Sequence, residues 1–177
     1  MKNSKSLKLR SIGLLFAFMY FANIASAQDK YFITFYGSND YVPGHAFVAF
    51  GKEDATAGMS ISDGVWGLYP NTKMNGLKSA MPGENEVPGV VKNEADSAMQ
   101  ENSLHGIMVE VSKTEYNNAL AVVKKWKKEG KYEALKKDCV SFIIEVANQI
   151  GSLNVPSRAG LEVLPRFYIL KLIENNQ

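Results

Sequence analysis

A single cysteine and two histidines are the groups in this 177-residue chain best suited to nucleophilic and acid–base chemistry. Cys139 follows Asp138, a residue type that caps helices, and begins the apolar run CVSFIIEVANQI (139–150), so the spacing predicts that it opens a helix. Unpaired N–H groups and the positive end of the helix dipole favour a thiolate there. The same N–H groups can receive the oxyanion that forms when a thiolate attacks a carbonyl. The proton acceptor would be His45 or His105, each at the start of a predicted strand. His45 follows the Pro43–Gly44 break and opens a buried-looking strand, so its ring can sit at a sheet edge facing the helix start; His105 follows a long irregular stretch. A plainer account also fits these residues. Cys139, Ile143, Val146 and Ile150 share one helical face, so the cysteine equally suits the top of a core stripe, and a strand histidine is commonly structural. Asp138 opposes thiolate formation, while Lys136 and Lys137 offset it.

The elements that must position these groups can be read from residue patterns. KYFITFY (30–36) is aromatic and β-branched and predicts a strand; HAFVAF (45–50) is apolar on both faces, as a central strand would be. Met59 to Tyr69 is the expected return strand, closed by Pro70. Asn71 to Ser103 carries Pro82, Gly83, Pro88 and Gly89 with little periodicity, and is expected to be a long loop. Its apolar Met74, Leu77, Met81, Val87, Val90 and Val91 suggest that it folds over the Cys139–His45 groove; a surface insertion is the other reading. LHGIMVEV (104–111) predicts the next strand. Ser112 and Glu115 then form a capping-box pattern for a helix whose stripe is Ala119, Val122, Val123 and Trp126 and which stops at Gly130. Its lysines make a solvated face. Gly151 is expected to end the cysteine helix, and Leu161 to Leu172 to be helical despite Pro165. This order of elements predicts an α+β fold, with helices packed on one antiparallel sheet.

Composition narrows the function classes. The chain is 46% hydrophobic and 21% charged, which suits one globular domain. Lys2, Lys5, Lys8 and Arg10 precede an apolar run of 13 residues, Ile12 to Ile24, and then Ala25–Ser26–Ala27. That is the pattern of a cleavable signal peptide over residues 1–27, and the run is short of the ~20 residues that span a bilayer. Residues 28–177 would then be the mature domain, secreted or periplasmic. Four of the twenty Lys and Arg residues lie in the leader, leaving sixteen against eighteen carboxylates and a formal charge of −2. Such a chain has no basic footprint for nucleic acid and no second membrane-length apolar stretch. One cysteine makes no internal disulfide, and a leftover thiol in an exported protein needs an explanation. Neither a metal nor an organic cofactor is implied, and a monomer is expected.

Two short segments in a fixed order supply a resemblance. Gly44-His45-Ala46-Phe47-Val48 and Asp138-Cys139-Val140-Ser141-Phe142 resemble the circularly permuted papain-like hydrolases, the relatives of NlpC-type peptidases and of lecithin–retinol acyltransferase. In that group the histidine opens an early strand and the cysteine a later helix. Phe142 matches the aromatic three residues after the cysteine, Asp138 stands where the group usually has Asn, and Trp66-Gly67-Leu68-Tyr69-Pro70 and Tyr132 also look like bacterial members. The resemblance spans about Phe32 to Pro156. It implies a permuted papain-like (NlpC-like) core, with Cys139 as nucleophile and His45 as general base. It also implies a third polar residue on the strand after the histidine, where Ser62 is the best match; Ser60 and Asp63 are its neighbours there.

The expectation is therefore a secreted cysteine hydrolase that cleaves an amide or ester of a cell-envelope peptide or lipid. The rival is an exported binding protein of the same fold without catalysis, using the Asn71–Ser103 segment to hold a partner and keeping Cys139 buried.

Overall fold

The computed structural model describes residues 29–38, 44–54, 58–82, 86–94 and 104–177. The expected signal peptide, residues 1–27, lies outside them. Strand β1 (Lys30–Ser38) pairs with β2 (His45–Asp54), which pairs with β3 (Gly58–Pro70), all antiparallel. β4 (Val87–Asn93) extends the sheet beyond β3, and β5 (His105–Val111) lies against the other side of β1. The two-residue β6 (Lys131–Tyr132) closes the far edge, giving the order β5-β1-β2-β3-β4-β6. This is an α+β architecture: a six-stranded open antiparallel sheet and four α-helices among the described residues.

Six consecutive residues of β2, His45 to Phe50, are buried because the strand has neighbours on both sides and apolar cover on both faces. Ala46, Val48 and Phe50 face the helices, while Phe47 and Ala49 join Val65 in a smaller cluster behind the sheet. The main core is completed by α2 (Lys113–Glu129), α3 (Cys139–Ala147) and α4 (Pro165–Glu174). The Ser112–Glu115 capping box is formed, and Gly130 ends α2 in the left-handed conformation at φ 59°, as the sequence implied. Trp126 of α2 meets Phe142 of α3 edge to face at 5.8 Å and donates from its indole to Glu145 at 2.8 Å, which fixes the cysteine helix against its neighbour.

Three parts of the sequence reading change. The 71–103 segment is not a loop throughout: it holds helix α1 (Lys73–Ser79), capped by Thr72, and then β4. Val87 and Val91 are therefore buried in the sheet, not laid over a groove. Pro165 does not interrupt a helix but occupies its first turn, where a missing N–H is harmless, and Gly160–Val163 forms a separate 3₁₀ turn. Helix α3 ends at Ala147, short of Gly151, whose N–H bonds Glu115 at 2.9 Å.

Candidate active site

Asp138 caps α3: its carboxylate accepts the Ser141 N–H at 3.0 Å, which leaves Cys139 as the first helical residue. The charge beside the thiol is compensated by a residue that sequence reading missed. Arg158 grips the Asp138 carboxylate with both terminal nitrogens, at 2.6 and 2.9 Å, and also donates to the carbonyls of Leu135 and Val163. Lys136 and Lys137 do not serve this purpose. Lys136 pairs with Glu133, and Lys137 with Glu86 and Glu129.

His45 is the first residue of β2 and is buried. Its Nε2 lies 3.2 Å from Oε1 of Glu94, which is equally buried, just past the end of β4. Tyr69 on β3 donates its hydroxyl to the other carboxylate oxygen at 2.6 Å and stacks its ring on the imidazole, centroids 4.1 Å apart. Cys139 lines the same cavity as this imidazole, and its sulfur acts on the ring to favour the charged form. Burial alone would push the His45 pKa down, but hydrogen bonds to Cys139 and Glu94, with their negative charge, outweigh it and raise it to about 9.

This shift links stability to pH. A histidine raised from 6.5 to about 9 on folding stabilises the protein fully below pH 6.5, and the contribution is lost as pH rises through 9. The melting temperature of the protein should fall over that window, and fall less in a His45→Gln variant. Parallel declines in the two proteins would contradict a charged His45.

Gly67 forms the floor beneath the pair. On β3 it lies between Phe47 of β2 and Lys92 of β4, and a Cβ built there lands on Oε1 of Glu94 and Nε2 of His45. The histidine–carboxylate bond thus crosses the sheet over the one residue type without a side chain.

A cavity of about 620 Å³ opens beside Cys139 and His45. Leu68 and Tyr69 of β3 form one wall, Lys73 and Leu77 of α1 a second, and Tyr132, Leu135 and the 163–165 turn the remainder. Burial first, and the charges of Cys139 and Asp138 next, push the Tyr132 hydroxyl well above its ordinary range, so it remains a hydrogen-bond donor. Of the 71–103 segment, α1 lines this groove and the residue after β4 supplies Glu94; residues 83–85 and 95–103 lie outside the described residues.

Ser62 is not brought to this site. Its hydroxyl bonds Tyr116 at 3.0 Å and Asp63 at 3.1 Å, and it lies seven positions along β3 from Tyr69, roughly 20 Å at strand spacing. The carboxylate of Glu94 takes the place assigned to it. His105 opens β5 opposite Gly37, on the far side of β1 from His45, and does not line the cavity. Among the described residues no cluster of three or more His, Cys, Asp or Glu is placed to hold a metal ion, and no helix is long and apolar enough to cross a membrane.

Compared with models of known protein families, with curated proteins and with solved structures, the chain matches none.

Proposed function

We propose that this protein is an exported cysteine hydrolase with a permuted papain-like core, cleaving an amide or ester through an acyl-enzyme on Cys139. The observation that carries the reading is the chain of contacts Cys139–His45–Glu94 at the wall of a cavity: a nucleophile, a base and an orienting carboxylate, each held by a different element. The order of a histidine strand before a cysteine helix supports the permuted core. The basic and apolar leader supports export, and with it a cell-envelope peptide or lipid as substrate.

In this mechanism the Cys139 thiolate attacks the substrate carbonyl carbon and forms a C–S bond. The carbonyl oxygen, now negative, is received by the Cys139 N–H at the start of α3 and by the Tyr132 hydroxyl. As the tetrahedral intermediate collapses, the His45 imidazolium gives its proton to the departing amine or alcohol. Water then attacks the thioester, His45 takes its proton, and the C–S bond breaks to release the acid. Glu94 stabilises the imidazolium and fixes the ring, with Tyr69 stacked behind it.

The deep burial of Cys139, 6% exposed, favours the rival reading, in which the same cavity binds a ligand without turning it over. A panel of acyl-carbonyl electrophiles tests both. The expected result is one covalent adduct on Cys139, formed at pH 6 faster than on a free cysteine, whose pKa is about 8.5, and lost in His45→Gln, which keeps a hydrogen-bonding group beside Glu94. Slow labelling, equal in the two proteins, would leave only a binding protein.

A further inference from the structure

The helix that carries Cys139 begins on a charge that it does not need. Asn and Asp cap helices about equally well, and only Asp sets a negative charge beside the thiol. Asp138 is buried, and Glu94 already supplies a second buried carboxylate behind His45. Against these two stand the imidazole and one further buried cation, Arg158. The Asp138–Arg158 pair is as sheltered as the His45–Glu94 pair, with side chains 8% and 12% exposed. Such a pair is weak evidence for stability, because desolvation offsets the attraction. Stability alone therefore does not account for it.

Arg158 reaches the site from the stretch between α3 and the 3₁₀ turn, and Asp138 is not its only partner there. Its Nη1 also donates to the Ser141 hydroxyl and the Leu135 carbonyl, both at 2.9 Å, and its Nη2 to the Val163 carbonyl at 3.0 Å. One guanidinium thus joins the first turn of α3, the turn before it and the 3₁₀ turn. Leu135, Asp138, Cys139 and Val163 all line the cavity. Leu135 is held most tightly. It is the one non-glycine residue with positive φ among the described residues, at φ 68°, a conformation that a bulky side chain disfavours. Its N–H donates to Asp138 at 2.9 Å while its carbonyl accepts from Arg158, so the ion pair holds both ends of the strained peptide. Strain of this kind persists only where its surroundings over-determine it, and it gathers at functional sites. The guanidinium charge is also felt at the cavity wall. Burial first, then Cys139 and Asp138, push the Tyr132 hydroxyl upward, and Arg158 draws it back.

We infer that Arg158 is a positioning residue for Cys139: its charge cancels that of Asp138 so that the thiolate can form, and its fork fixes the helix start so that the Cys139 N–H meets the substrate oxygen. This rests on the hydrolase reading and adds to it the residue that readies the nucleophile. The other groups that face the thiol stay constant in the test. They are His45 of β2 with Glu94 and Tyr69 behind it, Tyr132 of β6 and Lys73 of α1, while Tyr168 of α4 faces Arg158.

The test is a charge cycle, read by the pH profile of iodoacetamide alkylation at Cys139 and by turnover of p-nitrophenyl acetate. In Arg158→Gln the midpoint of the profile should move up by about one to two pH units, the scale on which one uncompensated carboxylate acts on a neighbouring group. In Asp138→Asn the guanidinium is left uncompensated, and the midpoint should move down. Joining the two changes should return it to that of the parent, because a neutral cap needs no counter-ion. Arg158→Lys keeps the charge and loses the fork. It should keep the parent's midpoint and KM but lose up to about a hundredfold in kcat, the scale of a 1 Å misplacement. An arginine with a merely structural role would lower the melting temperature in these variants and move no midpoint. If Arg158→Gln fails to fold, the downward shift in Asp138→Asn carries the same claim. Midpoints unchanged in both single variants, or a shift in Arg158→Gln that Asp138→Asn does not reverse, would overturn the assignment. The expected shifts with no Cys139-dependent turnover in the parent would support the assignment and remove the hydrolase reading alone.

Discussion

Glu94→Ala should cost this protein the proposed hydrolase activity and much of its stability together. The carboxylate and the imidazole are both buried, with side chains 8% and 10% exposed, and removing one member of such a pair leaves the other charged group without compensation. Losses of about 3–5 kcal/mol follow from breaking a buried pair in this way. The same deletion frees the ring to turn and withdraws the charge behind it, for which a loss in kcat of up to about 10⁴ is the expected scale. Glu94→Gln separates the two effects. It keeps the shape and a hydrogen-bonding oxygen, so the fold should survive, but it removes one of the influences that raise His45. The alkaline limb of the kcat/KM profile, set near pH 9 by loss of the His45 proton, should therefore move to lower pH in the glutamine variant. Thermal unfolding of Glu94→Ala and a pH profile of Glu94→Gln measure these outcomes. A parent-like profile and parent-like turnover in both would mean that Glu94 is structural.

What could be read in advance, and what could not, divides along the range of the interaction. Cys139, its Asp138 cap and the Ser112–Glu115 box depend on residues within three positions of one another, and the structure has each of them as the pattern implies. His45 was legible because the Pro43–Gly44 break and the apolar run after it are local features. Glu94 was not. It lies 49 residues from His45, and its approach depends on β4 pairing with β3, where Trp66 faces Asn93 and the Glu94 N–H bonds the Val65 carbonyl at 2.7 Å. Pro88 and Gly89 made that strand look like loop, although Val87 and Val91 on either side of them gave a usable hint. The sequence favours Ser62 because it lies on the strand that follows the histidine. That strand does reach the site, but with Tyr69 and Gly67 at its other end. Arg158 had no local signature either, since its partner Asp138 is 20 residues away and the contact depends on the chain doubling back after α3.

This long-range dependence makes Gly67 the most revealing single position in the sheet. An alanine there adds one methyl group, and in an ordinary strand position such a change would be mild or favourable, because glycine weakens strand interiors. Here the added Cβ occupies the space of the Glu94 carboxylate oxygen and the His45 Nε2. Neither can step aside freely: the imidazole is stacked under Tyr69, and the carboxylate is held by the Tyr69 hydroxyl at 2.6 Å. The two groups must separate, and a displacement on the order of 1 Å in a catalytic constellation costs about 10²-fold in rate. Gly67→Ala is therefore expected to lose at least that much kcat/KM while its circular dichroism stays that of the parent. Gly151→Ala, where a Cβ meets nothing closer than Glu115 at 3.6 Å, serves as the silent control. Shortening the carboxylate should relieve the clash, so Gly67→Ala with Glu94→Asp should be more active than Gly67→Ala alone, a coupling that two independent sites would not show. If Gly67→Ala keeps full activity, the bond that crosses the sheet between Glu94 and His45 is not needed for turnover, and the carboxylate's role in the mechanism has to be given up.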